Sequence, residues 1–104
     1  LLNRHADLVA DALALIETAA AELDPTDVHA LRSAPRAVAS EALRAWIQQE
    51  SGDPYRVDTA TIERVWQVVA GERRAAETVG GHRVTRSKGR LSFSVASDHG
   101  QART

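Results

Sequence analysis

The sequence has no cysteine and no methionine, and its aromatic side chains are limited to two tryptophans, one tyrosine and one phenylalanine. The lack of cysteine excludes disulfide bonds, zinc–cysteine sites and thiol nucleophiles. No run of about 18 apolar residues exists, so the sequence predicts no membrane-spanning helix. With so few aromatic rings, the composition also argues against a stacking platform for single-stranded nucleic acid.

Length and composition predict one globular domain. The 104 residues are 43% apolar and 26% charged, which allows a modest core and argues against wholesale disorder. We expect one domain over residues 1–96, with 1–24 as a linker helix from a missing catalytic domain, and a flexible tail over 97–104. Because the chain opens with Leu1 and lacks methionine, we expect an excised domain or a processed product. No segment resembles a signal peptide, and we expect a cytoplasmic protein.

The net charge of −1 conceals a division between the two halves of the chain. Residues 1–53 carry four arginines against nine acids, a net charge of −5, whereas residues 54–104 carry nine basic residues against five acids, a net charge of +4. The densest basic stretch, residues 82–90, has four fixed positive charges and no acid. Such a stretch favours phosphate binding, although a solvated surface strand has the same composition.

The spacing of apolar residues predicts three amphipathic helices. The first ends before Pro25, which disfavours helical backbone at Asp24. Ser33 is a natural cap for the second helix, and Pro35 fits its first turn. Gly71 suits the left-handed residue that ends many helices, here the third. The predicted ranges are residues 1–23, from about Ser33 to the breaker cluster Ser51–Pro54, and from a cap at Asp58 or Thr59 to Ala70.

The apolar stripes of these helices predict the core. A short helical turn between Thr26 and Ser33 directs Val28 and Leu31 inward. Trp46 and Trp66 hold similar positions in the second and third helices, so we expect them to pack these helices together. The first helix has its apolar residues near one face, at Leu8, Ala12, Leu15, Ile16, Ala19 and Leu23. The predicted structural core comprises Leu43, Trp46, Ile62, Trp66 and Phe93.

After Gly71 the sequence changes to strand-like alternation. A short strand is predicted over Glu77–Val79, ended by two glycines. Two further strands, Arg83–Arg86 and Leu91–Val95, flank a turn in which Gly89 supplies a positive φ. The expected fold is therefore α+β and mainly α: a three-helix bundle-like core followed by a small antiparallel β-hairpin or sheet.

Residues suited to catalysis are not grouped in this sequence. The four histidines are far apart and share no metal-ligand spacing. Gly80-Gly81 does not open a helix, so it does not form a phosphate loop, and a turn between strands explains it better. Ser87 has no base nearby in sequence. We expect no catalytic residue, no metal site and no cofactor within these 104 residues.

The basic residues around the hairpin are the candidate binding site. Several guanidinium and ammonium groups at one hairpin tip suit a backbone of phosphates, which gives affinity and orientation but little sequence reading. Structured RNA, recognised through shape and backbone, fits this pattern better than single strands. The candidate RNA-binding residues are Arg64, Arg73, Arg74, Arg83, Arg86, Lys88 and Arg90.

Two segments carry a resemblance to the C-terminal part of tRNA(Ile)-lysidine synthetases. The stretch Ala30–Val38, leading into Glu41–Ile47, resembles that family's "L-x-x-x-P … L-R-x-W-L" helix. The stretch Val79–Arg86, with Gly89–Leu91, resembles its "P-G-G-x-x-V-x-R-x-x-G-x-L" hairpin, with Val79 in place of the proline. Residues 1–23 look like the long helix that leaves the catalytic domain. The resemblance covers about residues 1–95.

The resemblance implies a substrate-binding domain without the catalytic half. The family's ATP-pyrophosphatase loop, S-G-G-x-D-S, is missing here, and we expect it before Leu1. The parent enzyme would use ATP, with magnesium, to adenylate a cytidine in the CAU anticodon of an isoleucine tRNA, after which lysine displaces AMP. The implied partners are that tRNA and the protein's own N-terminal catalytic domain; a homodimer is a further expectation.

Two other classes of function remain open at this stage. Three helices followed by a hairpin also describe a winged-helix DNA-binding module, whose recognition helix would present Arg64 and Gln67. The third helix suits this role poorly because it also carries Glu63 and Glu72. Alternatively, the chain is a helical dimerisation or interaction domain, in which Leu8, Leu15 and Ile16 of the first helix form the interface and are exposed in the monomer.

Overall fold

A computed structural model describes residues 2–52 and 57–95, and in this part of the chain four α-helices precede a three-stranded antiparallel sheet. The predicted class, a mainly helical α+β fold with the sheet after the helices, is confirmed. The elements are α1 (Leu2–Ala21), α2 (Val28–Ser33), α3 (Arg36–Ser51), α4 (Thr59–Val69), β1 (Ala75–Glu77), β2 (His82–Ser87) and β3 (Arg90–Val95).

Side-chain caps fix the starts of two helices. Asp27 Oδ1 accepts a hydrogen bond from Ala30 N at 3.2 Å at the start of α2. Asp58 Oδ1 accepts one from Thr61 N at 2.8 Å at the start of α4. Each bond satisfies an N–H group that the first helical turn leaves without a backbone partner. The predicted cap at Asp58 is confirmed.

The start of α3 differs from the prediction. Ser33 is the last residue of α2, and Pro35 occupies the N-cap of α3 without a side-chain hydrogen bond. The predicted cap at Ser33 is wrong because residues 28–33 close a helix of their own. Ala34 and Pro35 then adopt ψ angles of 159° and 143°, which interrupt the helical path before α3 begins.

The helix ends are set mainly by glycine. Gly52 follows α3 with φ +68°, and Gly71 follows α4 with φ +87°, so each occupies the left-handed region that a residue without Cβ adopts at low cost. Ser51, the first residue of the breaker cluster, is the last residue of α3, and residues 53 and 54 lie outside the described residues. Helix α1 ends at Ala21 rather than Leu23, because Leu23 N bonds Ala20 O in a tighter three-residue turn.

The sheet is a hairpin with one added strand, in the order β1-β2-β3. A two-residue turn joins β2 to β3, with φ +54° at Lys88 and +77° at Gly89. Two successive positive φ angles are those of a type I′ turn, whose twist matches that of the flanking strands. The predicted hairpin and the predicted role of Gly89 are confirmed.

Strand β1 lies two residues earlier than predicted. It covers Ala75–Glu77 rather than 77–79, and Ala76 pairs with Val84 and is 3% exposed. Residues 79–81 form a 3-10 turn in which Gly80 has φ +74°. The strand shifts because Ala76 fills the buried position opposite Val84, whereas residues 79–81 are needed to turn the chain.

The core lies between α2, α3, α4 and the inner face of the sheet. Leu43 is fully buried and Ile62 is 2% exposed, as predicted. Trp46, Trp66 and Phe93 are partly buried and pack against the core from its edge. The remaining buried aliphatic residues include Val28, Leu31, Ile47, Val65, Val68, Val69, Val84 and Leu91.

The two tryptophans have different partners. The Trp46 ring meets Phe93 edge to face, with ring centroids 5.9 Å apart and an interplanar angle of 72°. The Trp66 ring lies under the Arg36 guanidinium, whose central carbon is 4.2 Å from the ring centroid. Trp46 therefore joins α3 to the sheet, whereas the Arg36–Trp66 contact joins α3 to α4, as a cation–π pair.

Among the side chains of α1 that the structure describes, residues 8–21, those that pack on α3 lie in the C-terminal half. Ala20 is buried, and Ile16 and Leu23 are partly buried. Leu8 is 62% exposed and Leu15 is 72% exposed, so most of the apolar stripe predicted for this helix stays outside the core. These side chains stay exposed because the apolar stripe of α1 is wider and longer than the surface of α3 on which the helix packs.

Among the described residues, no helix is both long enough and apolar enough to cross a membrane. The predicted tail over 97–104 lies outside the described residues.

Candidate nucleic-acid interface

The hairpin turn is held in place by the segment before α2. Val28 N donates to Gly89 O at 3.0 Å, and Leu91 N donates to Thr26 O at 2.8 Å. These two backbone bonds continue the sheet for a short distance beyond β3. The turn therefore presents its side chains from a braced position rather than from a free loop, which lowers the entropic cost of holding a ligand.

Three cations surround a polar depression on one side of this turn. The depression has a volume of about 340 Å³ and is lined by Arg74, Arg86, Ser87, Lys88 and Gly89. Arg86 N donates to Arg74 O at 3.1 Å, which places the two arginines side by side. The structure shows no ion pair for any of the three cations with another described residue. We call this group the turn cluster.

The turn cluster is arranged to accept an anion. Like charges on neighbouring strands repel one another, so placing Arg74 beside Arg86 has an electrostatic cost that a bound anion would relieve. The Arg86 guanidinium also lies over Gly71, where a β-carbon would be 3.3 Å from its Nη2 atom. Gly71 thus leaves room for this side chain beside the C-terminal end of α4, where a positive charge is favourable.

Two other predicted cations are paired with acids. Arg83 Nη2 lies 2.9 Å from Glu77 Oε2, and Arg90 Nη1 lies 2.9 Å from Asp24 Oδ2. Arg90 Nη1 also donates to the Thr26 hydroxyl at 3.1 Å. All four charged side chains are more than 40% exposed, so both pairs contribute little to stability and can exchange partners.

Hydrogen bonds around Asp24 lower its pKa from the ordinary 3.8 to about 2. The Thr26 hydroxyl, 2.7 Å from Oδ1, contributes most, followed by the Thr26 backbone N–H and by Arg90. The same contact with Asp24 raises the pKa of Arg90. Both groups therefore stay ionised across the physiological range, and Asp24 continuously offsets the charge of Arg90.

The last two predicted cations, Arg64 and Arg73, lie on or beside α4. Arg64 Nη2 donates to the Thr61 hydroxyl at 3.1 Å, and Arg73 Nη1 lies 3.4 Å from Gln67 Oε1. Neither lines the depression of the turn cluster. Of the seven predicted residues, the structure brings Arg74, Arg86 and Lys88 together and pairs Arg83 and Arg90 with acids.

The acids that pair with two of the arginines, Asp24 and Glu77, are not evident from the sequence. Asp24 is 66 residues from Arg90 in sequence, and nothing local to either residue signals the contact. Glu77 was placed at the start of a strand, and its pairing with Arg83 follows from the β1–β2 register, Glu77↔Arg83.

A second concave surface, between α1 and α3, is apolar. It has a volume of about 450 Å³, and two acids, Glu17 and Glu41, lie among its lining residues. Negative charge at its edge makes this groove unsuitable for phosphate. Its other lining residues are Ala20, Ala21, Leu23, Pro25, Ala42, Ala45, Trp46 and Gln49.

The described residues hold no group of three His, Cys, Asp or Glu side chains placed to bind a metal ion. Of the four histidines, His29 is exposed on α2, and His82 stacks on Phe93 with ring centroids 5.0 Å apart. The other two have side chains outside the described residues.

Comparison with known proteins agrees with this chemistry. Residues 27–92 match the family model described as the TilS substrate binding domain. No curated protein and no solved structure gave a match. The matched region covers more than half of the chain and includes α2, α3, α4 and the whole β2–β3 turn. The chain therefore belongs to the TilS family, the tRNA(Ile)-lysidine synthetases, as a substrate-binding domain.

Proposed function

We propose that this domain holds a tRNA by its sugar–phosphate backbone through the turn cluster. The observation that carries the proposal is the grouping of Arg74, Arg86 and Lys88 around one polar depression, with no acid among the described residues paired to any of them. Phosphate contacts of this kind position a nucleic acid without reading its sequence. Family membership supplies the class of substrate, tRNA.

The chemistry belongs to the parent enzyme. We propose that a preceding catalytic domain uses ATP with magnesium to adenylate a cytidine in the CAU anticodon of an isoleucine tRNA, and that lysine then displaces AMP. This domain would act by proximity, because a tRNA held at a fixed orientation brings one cytidine to the reacting groups. The site of action would be the cytoplasm.

A competition assay tests the proposed function against the DNA-binding alternative. We expect an unmodified tRNA(Ile) transcript to displace a labelled copy of itself from the 104-residue chain at a concentration at least tenfold lower than a DNA duplex of equal charge requires. Stronger competition by the duplex would favour a winged-helix module. Against that alternative, α4 buries Ile62, Val65, Val68 and Val69, and the turn cluster lies at the hairpin rather than on the exposed face of α4.

We propose a second function for α1, as a protein interface. Leu8, Val9, Leu13 and Leu15 are between 48% and 72% exposed, and their burial against a partner would release apolar surface from water. Acids on the same helix, including Asp11 and Glu17, make it unsuitable for nucleic acid. We expect the catalytic domain to cover this face in the parent enzyme.

Sedimentation equilibrium distinguishes the two partners proposed for α1. A dimer whose dissociation is promoted by Leu8→Glu would indicate that a second copy of the chain covers the face. A monomer across the concentration range would exclude the homodimer.

A further inference from the structure

The turn cluster lies in a corner between the sheet and the end of α4. Arg86 follows the buried Val84 by two positions on β2, so both side chains leave the sheet on its core-facing side. Arg74 lies opposite Arg86 where the β1–β2 register is continued by one residue, and it shares that side. The Arg86 guanidinium reaches Gly71, just after α4. Because α4 packs against β1 and β2, its C-terminal end closes the corner on one side.

Two features of this corner are unfavourable without a ligand. Arg86 is half-buried, and no described residue forms an ion pair or a side-chain hydrogen bond with it, although charged groups that leave water are normally paired. Lys88 holds a φ of +54°, which is a strained conformation for a residue with a β-carbon. Both residues line one depression, and a bound anion would offset the cost of the unpaired guanidinium.

The free cations do not continue as a row along the hairpin. On the opposite side of the sheet, Arg90 stands across from Ser87 and is 2.9 Å from an oxygen of Asp24. Arg83, near the other end of β2, is 2.9 Å from an oxygen of Glu77. A nucleic-acid backbone that crossed the hairpin would therefore leave the depression and meet carboxylates, which repel phosphate. The unpaired positive charge of the hairpin is concentrated in the corner.

From this corner geometry we infer that the depression binds the terminal phosphate at the 5′ end of an RNA strand. A phosphate within the backbone carries one negative charge, whereas a terminal phosphate carries about 1.5 to 2 near neutral pH and has three strong acceptor oxygens. Three cations around one depression match the terminal group better than the internal one. An end group also enters a closed corner without a strand having to pass through it.

The inference rests on the proposed function, because it states which phosphate of the tRNA the turn cluster holds. A tRNA carries its terminal phosphate at the 5′ end. Guanidinium groups suit such a group because they donate paired hydrogen bonds to two phosphate oxygens, and the ammonium group of Lys88 adds a point charge. The other phosphates of the tRNA contribute binding that depends on salt and not on the end of the strand.

The test compares three forms of one internally labelled RNA hairpin. One form has a 5′-phosphate, one has a 3′-phosphate, and one has hydroxyl groups at both ends. Binding to the 104-residue chain is measured by fluorescence anisotropy at one salt concentration. The variants are Arg86→Gln and Lys88→Gln, and the matched control is Arg83→Gln, which removes a cation of the same strand that is paired with Glu77.

Circular dichroism shows whether each variant is folded. Lys88→Gln alone serves if Arg86→Gln is not folded, because Lys88 is exposed on the turn.

We expect the wild type to bind the 5′-phosphate form roughly tenfold to a hundredfold more tightly than the hydroxyl form, as for hydrogen bonds to a charged group. The 3′-phosphate form should bind like the hydroxyl form. In Arg86→Gln and in Lys88→Gln, the preference for the 5′-phosphate should fall to a few-fold, while affinity for the hydroxyl form changes less. Arg83→Gln should keep the preference of the wild type.

The possible failures are distinguishable. If the wild type binds the 5′-phosphate and hydroxyl forms equally, the inference is overturned while the proposed function stands. A preference for the 5′-phosphate that both variants retain would overturn its assignment to the turn cluster, and binding of the 3′-phosphate form as tight as that of the 5′-phosphate form would overturn its assignment to the 5′ end. If the wild type binds neither the hairpins nor tRNA, the inference and the proposed function are both overturned.

Discussion

Neutralising single cations of the turn cluster should change the salt dependence of RNA binding by a predictable amount. Each phosphate contact contributes a slope of about −0.7 to −0.9 to the plot of log K against log salt concentration. Arg74 and Lys88 have no acidic partner among the described residues, so each should count as a full contact. Arg74→Gln and Lys88→Gln should each make the slope less negative by about 0.7–0.9, and the double variant by about 1.4–1.8.

The loss of RNA affinity follows from the same slope. At 0.1 M salt, one lost contact of this slope weakens binding about fivefold to eightfold, and two lost contacts weaken it roughly 25- to 60-fold. Arg32 is the matched control, because it is exposed on α2 and does not line the depression. Anisotropy titrations with labelled tRNA at four or five salt concentrations measure both quantities. An unchanged slope in the double variant, or an equal change in Arg32→Gln, would refute the assignment of phosphates to the turn cluster.

Three further predictions follow from the paired arginines, the turn and the core. Asp24→Asn should free Arg90 and tighten RNA binding by up to about fivefold at low salt, corresponding to about 1 kcal/mol; weaker binding would mean that Asp24 positions the arginine. The pKa of Asp24 is about 2 in the folded chain, against 3.8 ordinarily. The contribution of the ionised carboxylate to stability is therefore present above about pH 4 and is lost as the pH falls toward 2. In urea titrations, the free energy of unfolding of Asp24→Asn should accordingly depend less on pH over that interval than that of the wild type. Lys88→Asn should raise the free energy of unfolding by about 0.5–1 kcal/mol, since asparagine tolerates φ +54° better than lysine. The same substitution should lower RNA affinity, because it removes a cation. A less stable variant would contradict the type I′ geometry. Leu43→Ala should lower the free energy of unfolding, measured in urea, by about 2–5 kcal/mol. Leu15→Ala, at a site 72% exposed, should lower it by less than about 0.5 kcal/mol. Similar losses for the two variants would show that this face of α1 is buried.

Features encoded by neighbouring residues could be predicted from the sequence. The cap at Asp58 and the turn at Gly89 each depend on a few consecutive residues, because a carboxylate bonds an amide three residues later and a positive φ favours glycine. The aliphatic core was also predictable, since the positions of Leu43 and Ile62 follow from helical periodicity. The family resemblance placed the chain correctly because its motifs lie in these same locally encoded elements.

Features that depend on distant residues could not be predicted in this way. The exact position of β1 is decided by Ala76 packing opposite Val84, and the partner of Arg90 lies 66 residues away. The sequence shows seven cations near the hairpin, but only the folded chain separates those beside acids from those of the turn cluster. Likewise, the apolar stripe on α1 predicts an amphipathic helix, but it does not indicate whether residues of the same chain pack against that stripe.

The most direct test of RNA binding at the hairpin is amide chemical-shift mapping of the ¹⁵N-labelled chain during titration with an unlabelled RNA hairpin. We predict that the largest shifts occur at Arg74 and at residues 86–89, which line the depression, with α3 unchanged. Shifts confined to the helices, with the hairpin resonances unmoved at saturating RNA, would contradict the assignment of nucleic-acid binding to this surface.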